Sequence, residues 1–484
     1  MSAADNTPTV GVNRPSGPVV DVPNRTNEFR ADTGVIRTMK KLRLPKKLRN
    51  RELALLIFAC VINLSALVLV QLGALGAVEP ELLMLGAGLC VLVLALHVCL
   101  RFVAPNADPL LLPIATVLNG LGVAMIYRLD IAEKFSGWSA FSTRQIVWSA
   151  IAIVAAIVVI LVVRNHRVLF RYTYLFGLLA FLLLLLPLIP GIGREVNGAR
   201  VWVGIGGVLS FQPGEIAKIA LAIFFAGYLV RTRESLAMVG KKFLGMRFPR
   251  LRDLGPILVV WALSMAIIVF QRDLGTALLY FGLFTVMLYI STARLSWVLI
   301  GLTLFLGGAA VASQSLTYVN GRFNNWLDAF SQQAYDAQGG SFQLLQGIFG
   351  LAHGGLLGTG LGQGRPQITP LAESDYIIAS LGEELGLAGV FAILALYLLL
   401  VSRGIAIGFT SQDDFGKLLA VGLSFTVALQ VFIMVGGVTR VIPLTGLTTP
   451  FLAAGGSSLV ANWIIVALLM RLSDSVKRTQ GVSA

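Results

Sequence analysis

Between Glu52 and Leu472 the chain returns repeatedly to apolar stretches long enough to cross a lipid bilayer. A hydrocarbon core about 30 Å thick needs about 20 apolar residues per helical span. Hydropathy marks about twelve such spans, at residues 52–75, 81–101, 109–127, 144–163, 168–190, 213–230, 255–271, 274–291, 295–313, 385–402, 416–436 and 457–472. Of the 484 residues, 56% are hydrophobic and 13% charged, whereas a soluble domain carries about 25% charged residues. A soluble globular enzyme is excluded, and the expected fold is an all-α polytopic membrane protein.

The net charge of +14 sits at helix ends. Lys40, Lys41, Arg43, Lys46, Lys47, Arg49 and Arg51 precede the first span, a second basic stretch runs from Arg231 to Arg252, and Lys477 and Arg478 close the last span. That placement sets topology, with contacts to membrane lipids secondary, and no nucleic-acid partner is expected. Residues 1–39 lack an apolar h-region and cannot bury enough surface to fold, so 1–51 reads as a disordered basic cytoplasmic tail, not a signal peptide. Cys60, Cys90 and Cys99 fall inside apolar segments without paired spacing, indicating neither a disulfide framework nor a zinc site.

Threading twelve spans from an inside N-terminus puts both termini in the cytoplasm and exposes 128–143, 191–212, 314–384 and 437–456 outside. The outer loop 314–384 is the longest, and its piece from Ser341 to Gly364 is too short and glycine-punctuated to span but too apolar for open water. A re-entrant or interfacial segment lining a protein cavity fits it best. The glycine run within it lacks the Lys-Ser/Thr of a P-loop and follows no strand, so it is no nucleotide site.

Ionisable residues in apolar surroundings are functional candidates by default. Glu215 and Lys218 share a helical face, as a structural ion pair or as the floor of the outer cavity. Asp273 either caps the next span or supports the site. Glu373, Asp375, Glu383 and Glu384 surround the start of the tenth span. Carboxylates at a helix start are common for structural reasons, but one beside Tyr376, Ile377 and Ile378 can have its pKa raised to suit a general base. Arg440, the lone cation of the last outer loop, is either an interface anchor or a bidentate phosphate ligand.

Several segments, in order, resemble motifs of the SEDS family of bacterial cell-wall polymerases, which includes the RodA, FtsW and SpoVE proteins. NGARVWVGIGGVLSFQPGEIAK (Asn197 to Lys218) is similar to the family's NGARRWI and QPSELAK elements, and QRDLGTA to its QPDLGTA. ESDYIIASLGEELGLAG is similar to its TDFIFAxxGEELG block, and VIPLTGLTTPFLAAGGSSL to its C-terminal signature. The ending GGSSLVANWIIVALLMRLSDS looks more like RodA than FtsW. Departures include Arg272 for proline, Gly214 for serine, Ser374 for threonine, Tyr376 for phenylalanine and Ala453 for serine, all beside the charged positions.

The resemblance implies a ten-helix core over 109–472, preceded by two extra helices in 52–108 and followed by a cytoplasmic tail, 473–484. It implies a peptidoglycan glycosyltransferase that polymerises lipid II at the outer membrane face during elongation and releases undecaprenyl pyrophosphate. Asp375 matches the family's essential aspartate and becomes the expected base; Glu215 and Lys218 match its sensitive acidic and basic pair. Arg200, Asp273, Arg322, Arg440, Glu373 and Ser457 complete the expected substrate-binding set. A divalent cation, Mg or Mn, is the candidate cofactor, with no metal ligands assigned. A class B penicillin-binding protein is the expected partner, because the chain has no transpeptidase serine motif. A major-facilitator transporter is disfavoured, since RFVAPNAD (Arg101 to Asp108) lacks the GxxxDRxGRR pattern and the halves show no similarity. A lipid II flippase is the competing reading, although the charges cluster at the outer end instead of tracing a path across the bilayer.

Overall fold

The computed structural model describes residues 28–196, 198–205, 209–237, 242–243, 246–247, 254–337 and 339–483. It divides into two compact units, Met1–Lys46 and Lys47–Ala484. Most of the tail expected to be disordered, residues 1–27, lies outside the described residues, as does much of the basic loop after Ala237; residues 28–46 are helical.

The second unit is a helical bundle. Its helices are α1 (Leu48–Leu75), α2 (Pro80–Val103), α3 (Leu111–Glu133), α4 (Phe141–Val162), the short α5 (Arg167–Arg171), α6 (Thr173–Leu185), α7 (Pro213–Ala237), α8 (Gly255–Ala266), α9 (Leu274–Thr292) and α10 (Leu295–Ser315). The long connection follows with α11 (Thr317–Leu327), α12 (Gln332–Asp336) and α13 (Phe342–Gly354), before α14 (Ile377–Thr410), α15 (Asp414–Val438) and α16 (Gly456–Ser483). Among the described residues, ten helices are long and apolar enough to cross a membrane. The other two expected spans are shorter apolar helices, Thr173–Leu188 and Gly255–Gln271. The first tightens into a 3₁₀ turn at Pro187, and the second loosens into a π turn over Ile267–Gln271; both devices end a regular helix early.

Helices α3, α7, α9, α15 and α16 form the centre, while α1, α2, α4, α10 and α14 present apolar side chains such as Phe58, Met84, Val154, Leu306 and Leu398 outward, as a bilayer requires. Small residues bring helix axes together: a methyl on Gly404 would strike Ser424, and one on Gly227 would strike Thr173.

The segment 191–212, with no structure expected from hydropathy, is a small antiparallel sheet of β1 (Gly193–Val196), β2 (Ala199–Ile205) and β3 (Leu209–Phe211), in the order β1-β2-β3. Gly198, at φ +79°, supplies the positive φ that the tight β1–β2 turn needs. Two-residue strands, Lys242–Phe243 and Met246–Arg247, pair in the basic loop.

The connection before α14 has the re-entrant character its composition suggests. The 13-residue α13 is far too short to span and packs beside the first turns of α14, where a methyl on Gly354 would strike the Gly382 carbonyl. Helix α14 is broken at Gly386 (φ +68°, ψ −176°). The break frees backbone groups that must be satisfied elsewhere, and the glycine run supplies the partners. The Leu387 and Ala388 amides donate to Gly355 and Leu356, while Thr359 and Gly360 donate to the carbonyls of Glu383 and Glu384. Gly358, Gly360 and Gly362 all have positive φ, and a methyl on Gly358 would collide with the Glu384 carbonyl. These glycines therefore serve to dock a loop onto a broken helix.

Candidate active site

The site lies at one end of the bundle, where α7, α9, α11, α14 and the loop after α15 meet. Leu371, at φ +56°, turns the chain so that the Ser374 and Tyr376 amides donate back to its carbonyl, leaving Asp375 just ahead of α14. Tyr376 is fully buried against Gly347 of α13, and Ala454 donates to the Glu373 carbonyl at 2.7 Å. The residues on both sides of Asp375 are thus clamped, while its own carboxylate has no hydrogen-bond or ion-pair partner among the described residues.

Arg322 projects from α11 toward the same point. One of its nitrogens donates to the Leu444 carbonyl at 2.7 Å. A methyl on Gly446, which has φ +78°, would lie 3.6 Å from the guanidinium and 3.9 Å from the Asp375 carboxylate. The absence of a side chain at Gly446 therefore leaves the space between cation and carboxylate open. Burial pushes the half-buried Asp375 carboxyl up to about 6; Arg322 opposes the shift, and Glu373 and Asp273 add to it. A group titrating there is ionised at neutral pH yet able to take a proton.

Asp273 is the N-cap of α9, its carboxylate accepting from the Thr276 amide at 2.9 Å and from the Thr276 hydroxyl. The bland reading of this residue is correct as far as it goes. Burial raises its carboxyl too, Thr276 and Arg322 working against that and Glu215 with it, so Arg322 serves two carboxylates. Glu215 and Lys218 pair at 2.5 Å. The Lys218 ammonium also donates to Gln430 at 2.9 Å, the Gln430 amide to the Thr448 carbonyl at 2.7 Å, and the Tyr280 hydroxyl to the Gly214 carbonyl at 2.7 Å. This network fastens α7 to α9, α15 and the loop that carries Gly446.

The remaining expected residues stand apart from the Arg322–Asp375 gap. The Arg440 guanidinium donates to the Trp326 and Leu327 carbonyls at 2.7 and 2.8 Å and stacks over Phe330, while Trp326 donates back to the Arg440 carbonyl. It thereby fixes the end of the helix bearing Arg322. Arg200, well exposed on β2, pairs with Glu195 at 2.9 Å. Ser457 accepts from the Gln212 amide at 2.8 Å, tying α16 to the start of α7. Glu373 lines a separate cavity of about 200 Å³ with Asp130, Glu133 and Gln367.

The four carboxylates around the start of α14 thus divide. Glu384 meets Arg128 at 3.0 Å and the Gly362 amide at 2.8 Å, and Glu383 accepts from the Arg365 amide at 2.7 Å; both hold the glycine run. Sequence reasoning missed Gln430, Gly446 and Arg128. A glutamine within the apolar run VALQVFIM and an arginine within MIYRLDI were the available signals, since polar groups at membrane depth are costly unless paired. Gly446 carried none. Among the described residues no group of three or more His, Cys, Asp or Glu side chains is arranged to hold a metal ion.

The comparisons with known proteins agree with this architecture. The model of the FtsW/RodA/SpoVE cell cycle protein family matches residues 109–478, and the chain belongs to that family. A peptidoglycan glycosyltransferase RodA from Mycobacterium tuberculosis is 45% identical over 433 residues, which cover 89% of this chain and 91% of the relative. The stage V sporulation protein E of Bacillus subtilis is 33% identical over 377 residues, covering 76% of this chain and 97% of its own. Among solved structures, a chain of a peptidoglycan synthase complex that coordinates polymerization and crosslinking matches with TM-score 0.51 and 24% identity, over 83% of this chain and 98% of that one.

Proposed function

We propose that this protein is a peptidoglycan glycosyltransferase that polymerises lipid II at the outer face of the cytoplasmic membrane, with Asp375 as general base. The observation that carries this reading is the Asp375 carboxylate itself: clamped on both sides, unpartnered, tuned to about 6 and facing Arg322 across Gly446. The family membership and the 45% identity to the mycobacterial RodA support the reaction class.

In the proposed step a sugar hydroxyl of the acceptor gives its proton to Asp375 as its oxygen bonds to the anomeric carbon of the donor. The bond from that carbon to the pyrophosphate oxygen breaks, and undecaprenyl pyrophosphate leaves. A positioned base contributes about 10²–10⁴-fold to such a transfer. Fixed positive charge at the leaving oxygens stabilises the charge developing there, and in this reading Arg322 supplies it. Lys218 is held by Glu215 and Gln430, and Arg440 by α11 carbonyls, so each supports the site indirectly. A divalent cation would enter with the pyrophosphate, whose oxygens would have to supply ligands that the described carboxylates do not.

The same reading puts both chain ends in the cytoplasm and takes residues 109–472 as the catalytic core, with α1 and α2 accessory to it. A class B penicillin-binding protein would crosslink the glycan during elongation. The test is polymerisation of labelled lipid II by the purified protein with its transpeptidase partner inhibited, wild type against Asp375→Asn. Long glycan from the wild type and none from a folded variant would bear the reading out. Equal polymerisation by both would remove Asp375 as the base. Lipid II crossing a proteoliposome bilayer with no polymer from either would replace the reading with a flippase.

A further inference from the structure

At the opposite end of the bundle a cavity of about 220 Å³ opens between α14 and α16, with Asp108, Arg403, Thr410, Ser473, Val476 and Lys477 in its wall. Its charges do not balance. Asp108 is occupied: one oxygen holds the Arg403 guanidinium, and the other accepts from the Leu110 amide at 3.0 Å. The neighbouring carboxylate, Asp474, is occupied as well, by Arg478 at 2.8 Å and the Asn106 amide at 2.9 Å. Lys477 has no hydrogen-bond or ion-pair partner among the described residues and stands within the fields of Asp108 and Asp474 as well as those of Arg403 and Arg49. The wall therefore carries two cations against one committed carboxylate.

A second observation points the same way. Ser473 is 2% exposed, and its hydroxyl is without a hydrogen-bond partner among the described residues. Buried hydroxyls are nearly always satisfied, so an orphan in a cavity wall calls for a partner from outside the chain. An unpaired ammonium and an unpaired hydroxyl, one turn apart on α16, together ask for an oxyanion. The cavity sits where the ends of α2, α14 and α16 come together, Arg471 and Arg478 both donating to the Val103 carbonyl at the end of α2. Basic pockets between membrane-spanning helices recognise phospholipid headgroups.

We propose that this cavity binds a phosphate anion, that of an anionic phospholipid headgroup, through Lys477 and Ser473, with Arg403 as a fixed neighbouring charge. The ligand joins the end of α14 to α16 and so stabilises the bundle at the face remote from Asp375. The proposal does not depend on the polymerase reading, since its readout is binding.

The test uses the full chain in a neutral detergent, titrated with short-chain phosphatidylglycerol, short-chain phosphatidylcholine or inorganic phosphate, with the thermal midpoint as readout. Phosphatidylglycerol is expected to raise the midpoint saturably, and phosphatidylcholine is expected not to. Lys477→Gln is expected to weaken the apparent affinity about tenfold, or about 1.4 kcal/mol, while Lys477→Arg and the exposed control Arg171→Gln retain it. Ser473→Ala, a change small enough to leave folding intact, is expected to weaken binding severalfold and guards against a Lys477→Gln variant that fails to fold. Identical titrations for wild type, Lys477→Gln and Ser473→Ala, or equal responses to the two lipids, would overturn the proposal. Saturation by inorganic phosphate at the same midpoint as the lipid would overturn the lipid assignment in favour of a soluble phosphate.

Discussion

At the face where the first and last helices of the bundle end, Arg49 holds Glu52, which also meets His97 at 2.8 Å, Arg403 holds Asp108, and Arg478 holds Asp474. At the other face the Asp375 carboxylate has no hydrogen-bond or ion-pair partner among the described residues, and Arg322 spreads its charge over two carboxylates while bonded to a carbonyl. At the first face these charges are closed in pairs; at the second, beside the closed pairs Glu215–Lys218 and Arg128–Glu384, the charge of Asp375 is left open toward a gap at Gly446. Removing one member of a closed buried pair strands the other, at a cost to folding. Removing an open charge relieves the fold and harms only what the charge was kept for. Lys477 departs from this pairing, with no partner among the described residues, and its place in a cavity wall beside Ser473 is the reason it marks a binding site.

The largest effect that tests this contrast is at Asp375. Asp375→Asn should lower polymerisation about 10²–10⁴-fold while making the protein more stable above pH 6. The sign follows from the raised pKa. A carboxyl at about 6 in the folded state and at its ordinary value of 3.8 in the unfolded chain is favoured folded only when protonated. Stability therefore falls as pH rises from 3.8 to 6, and the full penalty applies above that. Relief of about 1–3 kcal/mol is expected in the variant at pH 7.5, read as a higher thermal midpoint. An inactive variant of lower stability would break the comparison. Glu52→Gln, at the paired face, should do the reverse: a loss of about 3–5 kcal/mol, with the specific rate of the folded fraction unchanged.

Much of this contrast was legible in the sequence, and the limits have physical causes. Among the described residues hydropathy located the ten helices long enough to span, because each must cover its own length in lipid, but it overstated two shorter apolar helices, since a 3₁₀ turn at Pro187 and a π turn before Arg272 leave composition untouched. The sheet of β1, β2 and β3 escaped notice because strands this short need no apolar period. The break at Gly386 could be sensed only as excess glycine nearby, since what requires it is the match between freed backbone groups and a loop some 25 residues earlier. At the site, charge in apolar surroundings pointed to Glu215, Lys218, Asp273 and the four carboxylates around the start of α14, and the family resemblance singled out Asp375 among the four. The division between open and closed charges was invisible, because it depends on partners distant in sequence: Arg128 closes Glu384, whereas no donor closes Asp375.

Smaller effects sharpen the contrast around Arg322. Arg322→Gln should slow polymerisation about 10–100-fold, the loss expected for one charge-assisted contact in the transition state. It should also move the acid limb of the rate profile. Arg322 holds the Asp375 carboxyl down against burial; without it the carboxyl rises above 6, and activity should begin to fall at a higher pH than in the wild type. An unchanged limb would mean that Arg322 does not face the base.

The smallest effect, and the most local, is at Gly446. Its φ of +78° is one that side chains rarely adopt, so Gly446→Ala should cost about 1 kcal/mol of stability from the backbone alone. The added methyl would stand 3.6 Å from the Arg322 guanidinium and 3.9 Å from the Asp375 carboxylate, ordinary contact distances that disturb neither side chain. It would occupy part of the gap where substrate is proposed to sit. Polymerisation should therefore fall severalfold through KM, with the acid limb unmoved, because the distance from cation to base is preserved. A shift of that limb with KM unchanged would mean that Gly446 sets the electrostatics of the pair and not the room between them.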